Sequence, residues 1–277
     1  MFRHIPFNME KLRILFVTSE INPFLKISSA ADFVRMLPQG LHERGHEIRI
    51  LMPKFGVINE RRNRLHEVVR LSGINIRVGN EEKPLTIKVA SIPNVRLQVY
   101  FLDNEDYFQR KSVLFDNNDT FHPDNDERAI FFCKGAIETV KKLGWTPNII
   151  HCHDWMTSLI PLYVKTHYKD DPVFQNSKVV FTVYNNAFNE HFPASFVEKA
   201  RLDGIPHETL RDFAENSYYG VTKGGMRMAD AITFGQNAID PHIQAFLDDT
   251  NIQPRHVRAD APDYIERYQQ LYHAILN

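Results

Sequence analysis

Short apolar runs recur along this chain, and helical patterns separate them. Residues 12–17 form the first run and read as a parallel strand covered on both faces. A helix follows over 30–44, with apolar positions at Ala30, Phe33, Val34 and Leu37 and an end near Gly45. Residues 47–52 read as a second strand, stopped by Pro53, and the spacing is that of a right-handed βαβ unit. Residues 53–79 look irregular and charged. Residues 85–92 and 97–102 alternate, which predicts an antiparallel pair turning across Pro93-Asn94 beside the parallel sheet. Residues 103–127, rich in Asp and Asn, read as a long surface loop.

The alternation then resumes. A helix over 128–143 is closed by Gly144 and Pro147. Residues 149–152 are a short buried strand, 155–167 are helical, and 178–183 are another parallel-type strand. Residues 192–228 read as short helices, 231–234 as the last strand and 238–247 as a helix. A terminal helix over 260–276 carries an apolar stripe of Tyr264, Ile265, Tyr268, Leu271, Tyr272 and Ile275 that needs a surface to pack on. Strand–helix alternation without repeats argues one α/β domain with a doubly wound, mostly parallel sheet over about 250 residues.

Composition narrows the class. A chain of 277 residues can bury a large core. Its 43% hydrophobic and 24% charged content is ordinary for a globular protein. A net charge of −1 gives no footprint for nucleic acid or an anionic membrane. Arg61-Arg62-Asn63-Arg64, the densest basic cluster, reads as a solvated face. Cys133 and Cys152 sit in apolar surroundings and read as buried free thiols of a reducing, cytoplasmic compartment. The opening MFRHIPFNME has no apolar core of signal-peptide length, and no run of about 20 apolar residues occurs.

The chemistry gathers where strands end. Residues 12–17 lead into Thr18-Ser19-Glu20, then a loop with Pro23 and Lys26, then Ser28-Ser29-Ala30-Ala31-Asp32 at a helix start. Open α/β sheets bind ligands at such strand–loop–helix junctions. The stretch resembles the glycogen/starch synthase family, glucosyltransferases of the two-domain GT-B fold. The family loop K-T-G-G-L-A-D-V is matched by Lys26-Ile27-Ser28-Ser29-Ala30-Ala31-Asp32-Phe33, without its glycines. Asp124-Asn125-Asp126-Glu127-Arg128 with Phe131-Phe132 resembles D-N-x-x-R-F. His151-Cys152-His153-Asp154-Trp155 resembles H-x-H-D-W-H, with Met156 at the last His. Phe181-Thr182-Val183-Tyr184-Asn185 resembles F-T-x-H-N, with Tyr184 at the His. Lys223-Gly224-Gly225 and Ala229-Asp230-Ala231-Ile232-Thr233 resemble K-x-G-x-x-x-A-D-x-x-T. The family's S-P-T is Gln236-Asn237-Ala238, and Phe188-Asn189-Glu190 replaces a glycine-containing segment.

The resemblance implies a Rossmann-like GT-B N-terminal domain over residues 1–250. A linker and a helix over 251–277 would cross back onto it, as Tyr268-Gln269-Gln270-Leu271-Tyr272 weakly suggests. It implies Asp154 and Asn185 in a catalytic role, and Lys26, Ser28 and Ser29 toward donor phosphates. Glu20, Asp32, Asp124, Asn125 and His153 would meet the acceptor or sugar. No cofactor and no metal are expected. The similarity spans residues 12 to about 248, and the family's second domain, which grips the donor, has no expected counterpart here.

Each residue has a plainer reading beside it. Ser28 and Ser29 form a weakened phosphate nest, or Ser29 is an N-cap with Asp32 three residues on. A positive φ at either serine would cost on the order of 1 kcal/mol. Lys26 meets phosphate or a sugar hydroxyl, or is a surface lysine. Glu20 bonds an acceptor sugar, or accepts loop N–H groups. Asp32 suits a first helical turn whatever its function. His151 and His153 share a strand face and orient loops rather than bind zinc. Tyr184 is no general base near neutral pH but can stack on a sugar. Two functions result. One is transfer of glucose from ADP-glucose (or UDP-glucose) to an α-1,4-glucan, aided by a separate donor-binding subunit. The other is a non-catalytic module that binds glucan or a protein partner. An exposed cleft face suits a protein partner or a homo-oligomer.

Overall fold

The computed structural model describes residues 10–250, 252–255, 257 and 261–277. The readings of residues 1–9 and of Asp260 fall outside them. One nine-stranded sheet organises the fold, in the order β3-β5-β6-β2-β1-β7-β8-β9 with β4 on β5. The strands are β1 (Arg13–Val17), β2 (Glu47–Pro53), β3 (His66–Glu67), β4 (Ile74–Val78) and β5 (Glu81–Ser91). They continue as β6 (Gln98–Asp103), β7 (Ile149–His153), β8 (Lys178–Val183) and β9 (Ala231–Phe234). From β6 to β9 every neighbour is parallel. β3, β4 and β6 all run antiparallel to β5. This is the doubly wound, mostly parallel α/β sheet that the alternating runs predict.

The parallel strands are apolar because helices cover both their faces. Ile14, Phe16 and Val17 in β1 are fully buried. The order reverses at β1, which lies between β2 and β7. Chain connections therefore leave β1 and β7 in opposite directions, and a crevice opens above their carboxyl ends. Helix Ala30–Glu43 follows β1, and the long helix Asn125–Leu143 precedes β7.

Several sequence readings change. Pro53 does not stop β2 but ends inside it, paired with Leu102. Leu51 O accepts from Thr18 N, and Lys54 N donates to Leu102 O, so alternate residues face β1 and β6. Pro53 faces the β1 side, where β1 has already ended, and its missing N–H leaves no partner unmet. Residues 53–79 hold a short helix, Glu60–Asn63, and strands β3 and β4. These pieces are too short and charged to leave a pattern. Residues 109–124 are irregular and lie mostly at the surface, as expected, but 103–127 are not loop throughout. They hold helix Glu105–Phe108, with Tyr107 and Phe108 buried. Asn104 there serves backbone rather than water: its Oδ1 accepts from Asp106 N at 3.0 Å and Tyr107 N at 3.2 Å. The long helix begins at Asn125 rather than 128. Residues 155–167 split into a 3₁₀ turn, Trp155–Thr157, and helix Leu159–Lys165. The helix after β9 is Pro241–Thr250, with proline favoured at the first position.

The terminal helix, Tyr264–Leu276, lies on helix Ala30–Glu43. Phe33 meets Tyr264 and Tyr268 at ring distances of 5.8 and 5.6 Å. Gly40 makes room: a Cβ there would lie 2.3 Å from Ile265 Cδ1. Tyr272 is fully buried, and its hydroxyl lies 2.7 Å from His151 Nδ1. Tyr272→Phe leaves that nitrogen unpaired in a dry site, so we expect a loss of about 1–3 kcal/mol in urea unfolding. Hydrogen exchange should also quicken in the terminal helix, and unchanged exchange there would contradict this account of the docking.

Candidate functional site

The β7 end carries the least ordinary residue of the chain. Asp154 sits at φ 65° and ψ 175°, a region that glycine occupies almost alone. Such strain costs on the order of 1–3 kcal/mol and persists only where neighbours hold it. Here Asp154 N donates to Thr182 O at 3.1 Å. Its Oδ1 accepts from Met156 N at 2.8 Å, and its Oδ2 accepts from the Ser19 hydroxyl at the end of β1. Burial raises the carboxyl pKa to about 7, although both donors pull it down.

The loop after β1 is organised by Glu20, which is buried. Its Oε2 accepts from Ile27 N at 2.6 Å and Ser28 N at 2.8 Å, and its Oε1 from the Ser28 hydroxyl at 2.5 Å. The carboxylate thus holds the loop's own donors. Ser29 stands at the N-cap with φ −67° but makes no side-chain cap bond. Ser28 Oγ instead accepts from Ala30 N at 3.1 Å. Among the described residues, neither serine has a positive φ, so the missing glycines carry no backbone strain. Lys26 pairs with Asp32 at 2.6 Å, and Asn22 donates to the same carboxylate at 2.8 Å. The Lys26 and Asn22 hydrogen bonds hold the Asp32 carboxyl below its usual range.

Two histidines stack below the cleft, their rings 4.1 Å apart. His151 bonds Tyr272 and, through Nε2, Thr182 Oγ1 at 2.6 Å. His153 Nδ1 lies 2.9 Å from the Tyr184 hydroxyl, and its Nε2 is buried without a partner. Burial lowers the His153 pKa to about 3, so it is neutral. Tyr184 is buried too, and burial holds its hydroxyl well above the usual range. A Cβ at Gly235 would strike its ring at 2.0 Å, so glycine is what lets that ring fit. Asn185 is exposed, and its side chain donates to Ala238 O at 2.8 Å. Asp124 and Asn125 lie at the start of the long helix. Burial raises the Asp124 carboxyl, but the Arg110 hydrogen bond and charge outweigh it and leave it low. Asn125 spends both amide ends on Leu114 O and Arg128.

A cavity of about 570 Å³ lies between these groups. Ser19, Glu20, Ser28 and Glu190 line it with oxygen, and Phe55, Phe115, Trp155 and Phe188 with rings. Among the described residues, no Lys, Arg or His lines it. Asn186, which no sequence pattern singled out, also lines it, and its Oδ1 is buried without a partner. Arg128, which the motif match names without a role, is an organiser: it is fully buried and ties Tyr107 O and Val113 O behind the cavity wall. The cavity thus gathers Glu20 and Ser28. Ser29 and Asp32 line a neighbouring hollow with Gln236, while Asp124, Asn125, His153 and Asn185 line neither.

Residues 13–244 match the family model of the starch synthase catalytic domain. The chain belongs to that family. It is 42% identical over 227 residues to the glycogen synthase of Chlorobium luteolum, covering 80% of this chain and 45% of the relative. It is 39% identical over 241 residues to that of Chlorobaculum tepidum, covering 87% and 48%. The chain spans about half the length of these curated relatives. Among solved structures, it is similar to the catalytic domain of starch synthase IV from Arabidopsis thaliana bound to ADP and acarbose. The TM-score is 0.73 at 19% identity, covering 89% of this chain and 51% of that one, a likeness of GT-B fold.

Asp154 gives a pH signature. It ionises near 3.8 unfolded and near 7 folded, so the native state binds the extra proton between. Its contribution to stability is therefore complete below about pH 4 and fades as pH rises to 7. His153 acts oppositely: its contribution grows from about pH 3 to 6.5. Asp154→Asn removes only the first. Relative to wild type, the variant should improve by about 2 kcal/mol between pH 5 and 7.5 in urea unfolding. A constant difference across that range would mean Asp154 is ionised in the fold.

Proposed function

We propose that this chain binds an α-1,4-glucan in the cavity above β1 and β7, as the acceptor-binding part of a glycogen synthase-type glucosyltransferase. The cavity lining carries this reading. Its charges are two carboxylates, its walls are aromatic, and it offers acceptors such as Asn186 Oδ1. A glucan presents hydroxyl donors and apolar ring faces, which that lining suits. A diphosphate needs cations or free N–H groups, and among the described residues no cation lines this cavity. Asp154 fixes the Ser19 hydroxyl at the cavity edge and so sets how an acceptor is oriented. Asn185, exposed at the end of β8, is the remaining catalytic candidate.

ADP-glucose is the donor that the family resemblance implies, arriving over Ser29 and Asp32. Lys26 would have to leave its pair with Asp32 to reach a phosphate. Tyr184 favours the second reading, a glucan-binding module without transfer. It replaces the family's histidine, and its buried hydroxyl is bonded to a neutral His153. Two buried, unpaired cysteines support a cytoplasmic location. A protein partner or a second copy covering the exposed Ile27 and Met36 completes the proposal.

Titration calorimetry separates these ligands. Maltoheptaose should bind the purified chain, and Asn186→Leu should weaken it about tenfold by removing an acceptor and adding bulk. ADP-glucose affinity should be unaffected by that substitution. Absence of glucan binding, or equal loss for both ligands, would refute the assignment of the cavity to glucan.

A further inference from the structure

A second cavity, of about 770 Å³, lies between the β4–β5 hairpin and residues 195–203 and shares no lining residue with the first. Lys134 of the long helix projects into it and is buried. Its ammonium bonds only carbonyls, Arg77 O at 3.0 Å and Lys199 O at 3.3 Å, which leaves one of three donors unused. Among the described residues, no carboxylate pairs with it. Burial and the Arg77 charge together lower its pKa to about 8. Arg77, exposed near the end of β4, also lines the cavity. Its Nε is bonded to Gly79 O at 3.1 Å, and no carboxylate pairs with it among the described residues.

Of the acids lining the cavity, Glu81, Glu127 and Glu198 (with Arg201 at 3.8 Å) are ion-paired, and Asp203 is exposed. Glu127 accepts from Lys199 at 2.7 Å and from the Tyr107 hydroxyl at 3.0 Å. Glu81 pairs with Lys83 at 2.7 Å. Two adjacent cations, one of them buried, are thus left without a countercharge, an arrangement that an anion would relieve. The opposite wall offers Ser195 and Asp203, and the hairpin turn offers Asn80, all of which suit hydroxyl groups. Among the described residues, no Trp, Tyr or Phe lines the cavity; its one ring is the His167 imidazole, whose Nδ1 lies 2.9 Å from Asp203 O.

We propose that this cavity is a second ligand site, for a small phosphorylated polyol, with the phosphate on Lys134 and Arg77 and the hydroxyls on the opposite wall. The site is independent of the glucan reading. The test is calorimetry on the whole chain at pH 8 in chloride buffer, with ribose 5-phosphate, inorganic phosphate and ribose as probes. Ribose 5-phosphate should bind more tightly than inorganic phosphate, and ribose should give no heat. Binding should take up protons, read from buffers of different ionisation enthalpy, because an anion raises the Lys134 pKa. Arg77→Gln, an exposed change that spares the Lys134 carbonyl bonds, should weaken binding about tenfold or more. Absence of phosphate binding at millimolar concentration, or affinity unchanged in Arg77→Gln, would overturn the site. Equal affinity for inorganic phosphate and ribose 5-phosphate would overturn the polyol assignment.

Discussion

Parallel strands buried on both faces end here in polar side chains, and each of those groups needs a partner away from water. One chain of contacts meets most of the need. Tyr272 bonds His151, His151 bonds Thr182, and Thr182 bonds Thr233 at 2.7 Å. It joins the terminal helix to β7, β8 and β9 in turn. His153 and Tyr184 form a second link beside it. Their neutral state follows from burial, which opposes charge on both histidines. The terminal helix therefore belongs to the support of the cleft, although it lies over a hundred residues beyond β7 in sequence.

The cleft inherits its character from that support. Directly after His153 the chain must turn within one residue, and Asp154 takes the strained conformation that does so. Ser19 then bridges β1 to β7 through the Asp154 carboxyl. Glu20 completes the floor by holding the loop of Ile27 and Ser28. The loop's amides are used internally, so the nest geometry implied by the family glycines gives way to a side-chain-organised turn. What remains open is a ring-lined cavity with the Glu20 and Glu190 carboxylates in its lining.

Most of this fold was legible in the sequence because its information is local. Runs such as Ile14 to Val17 and Val179 to Val183 leave a parallel strand few alternatives. The site was less legible. Asp103 to Glu127 looked solvated because Asn and Asp usually are, yet Asn104 and Asn125 are buried to satisfy backbone at 2.8 to 3.2 Å. Ser29 looked like a cap, but Glu20 turns the loop so that Ser28 serves Ala30 instead. Such choices depend on partners distant in sequence. Asn186 left no periodic or motif signal, and only the fold shows its unpaired oxygen in a cavity.

The glucan assignment can be read from one side chain. The chain has two tryptophans. Trp155 lines the first cavity, whereas Trp145 is tied to Glu47 at 2.6 Å on the far side. In Trp145→Phe, all indole emission comes from Trp155. The account predicts a saturable change in that emission on titration with maltoheptaose and none with ADP alone. A response to ADP without one to maltoheptaose would contradict it and turn the cavity into a nucleotide site.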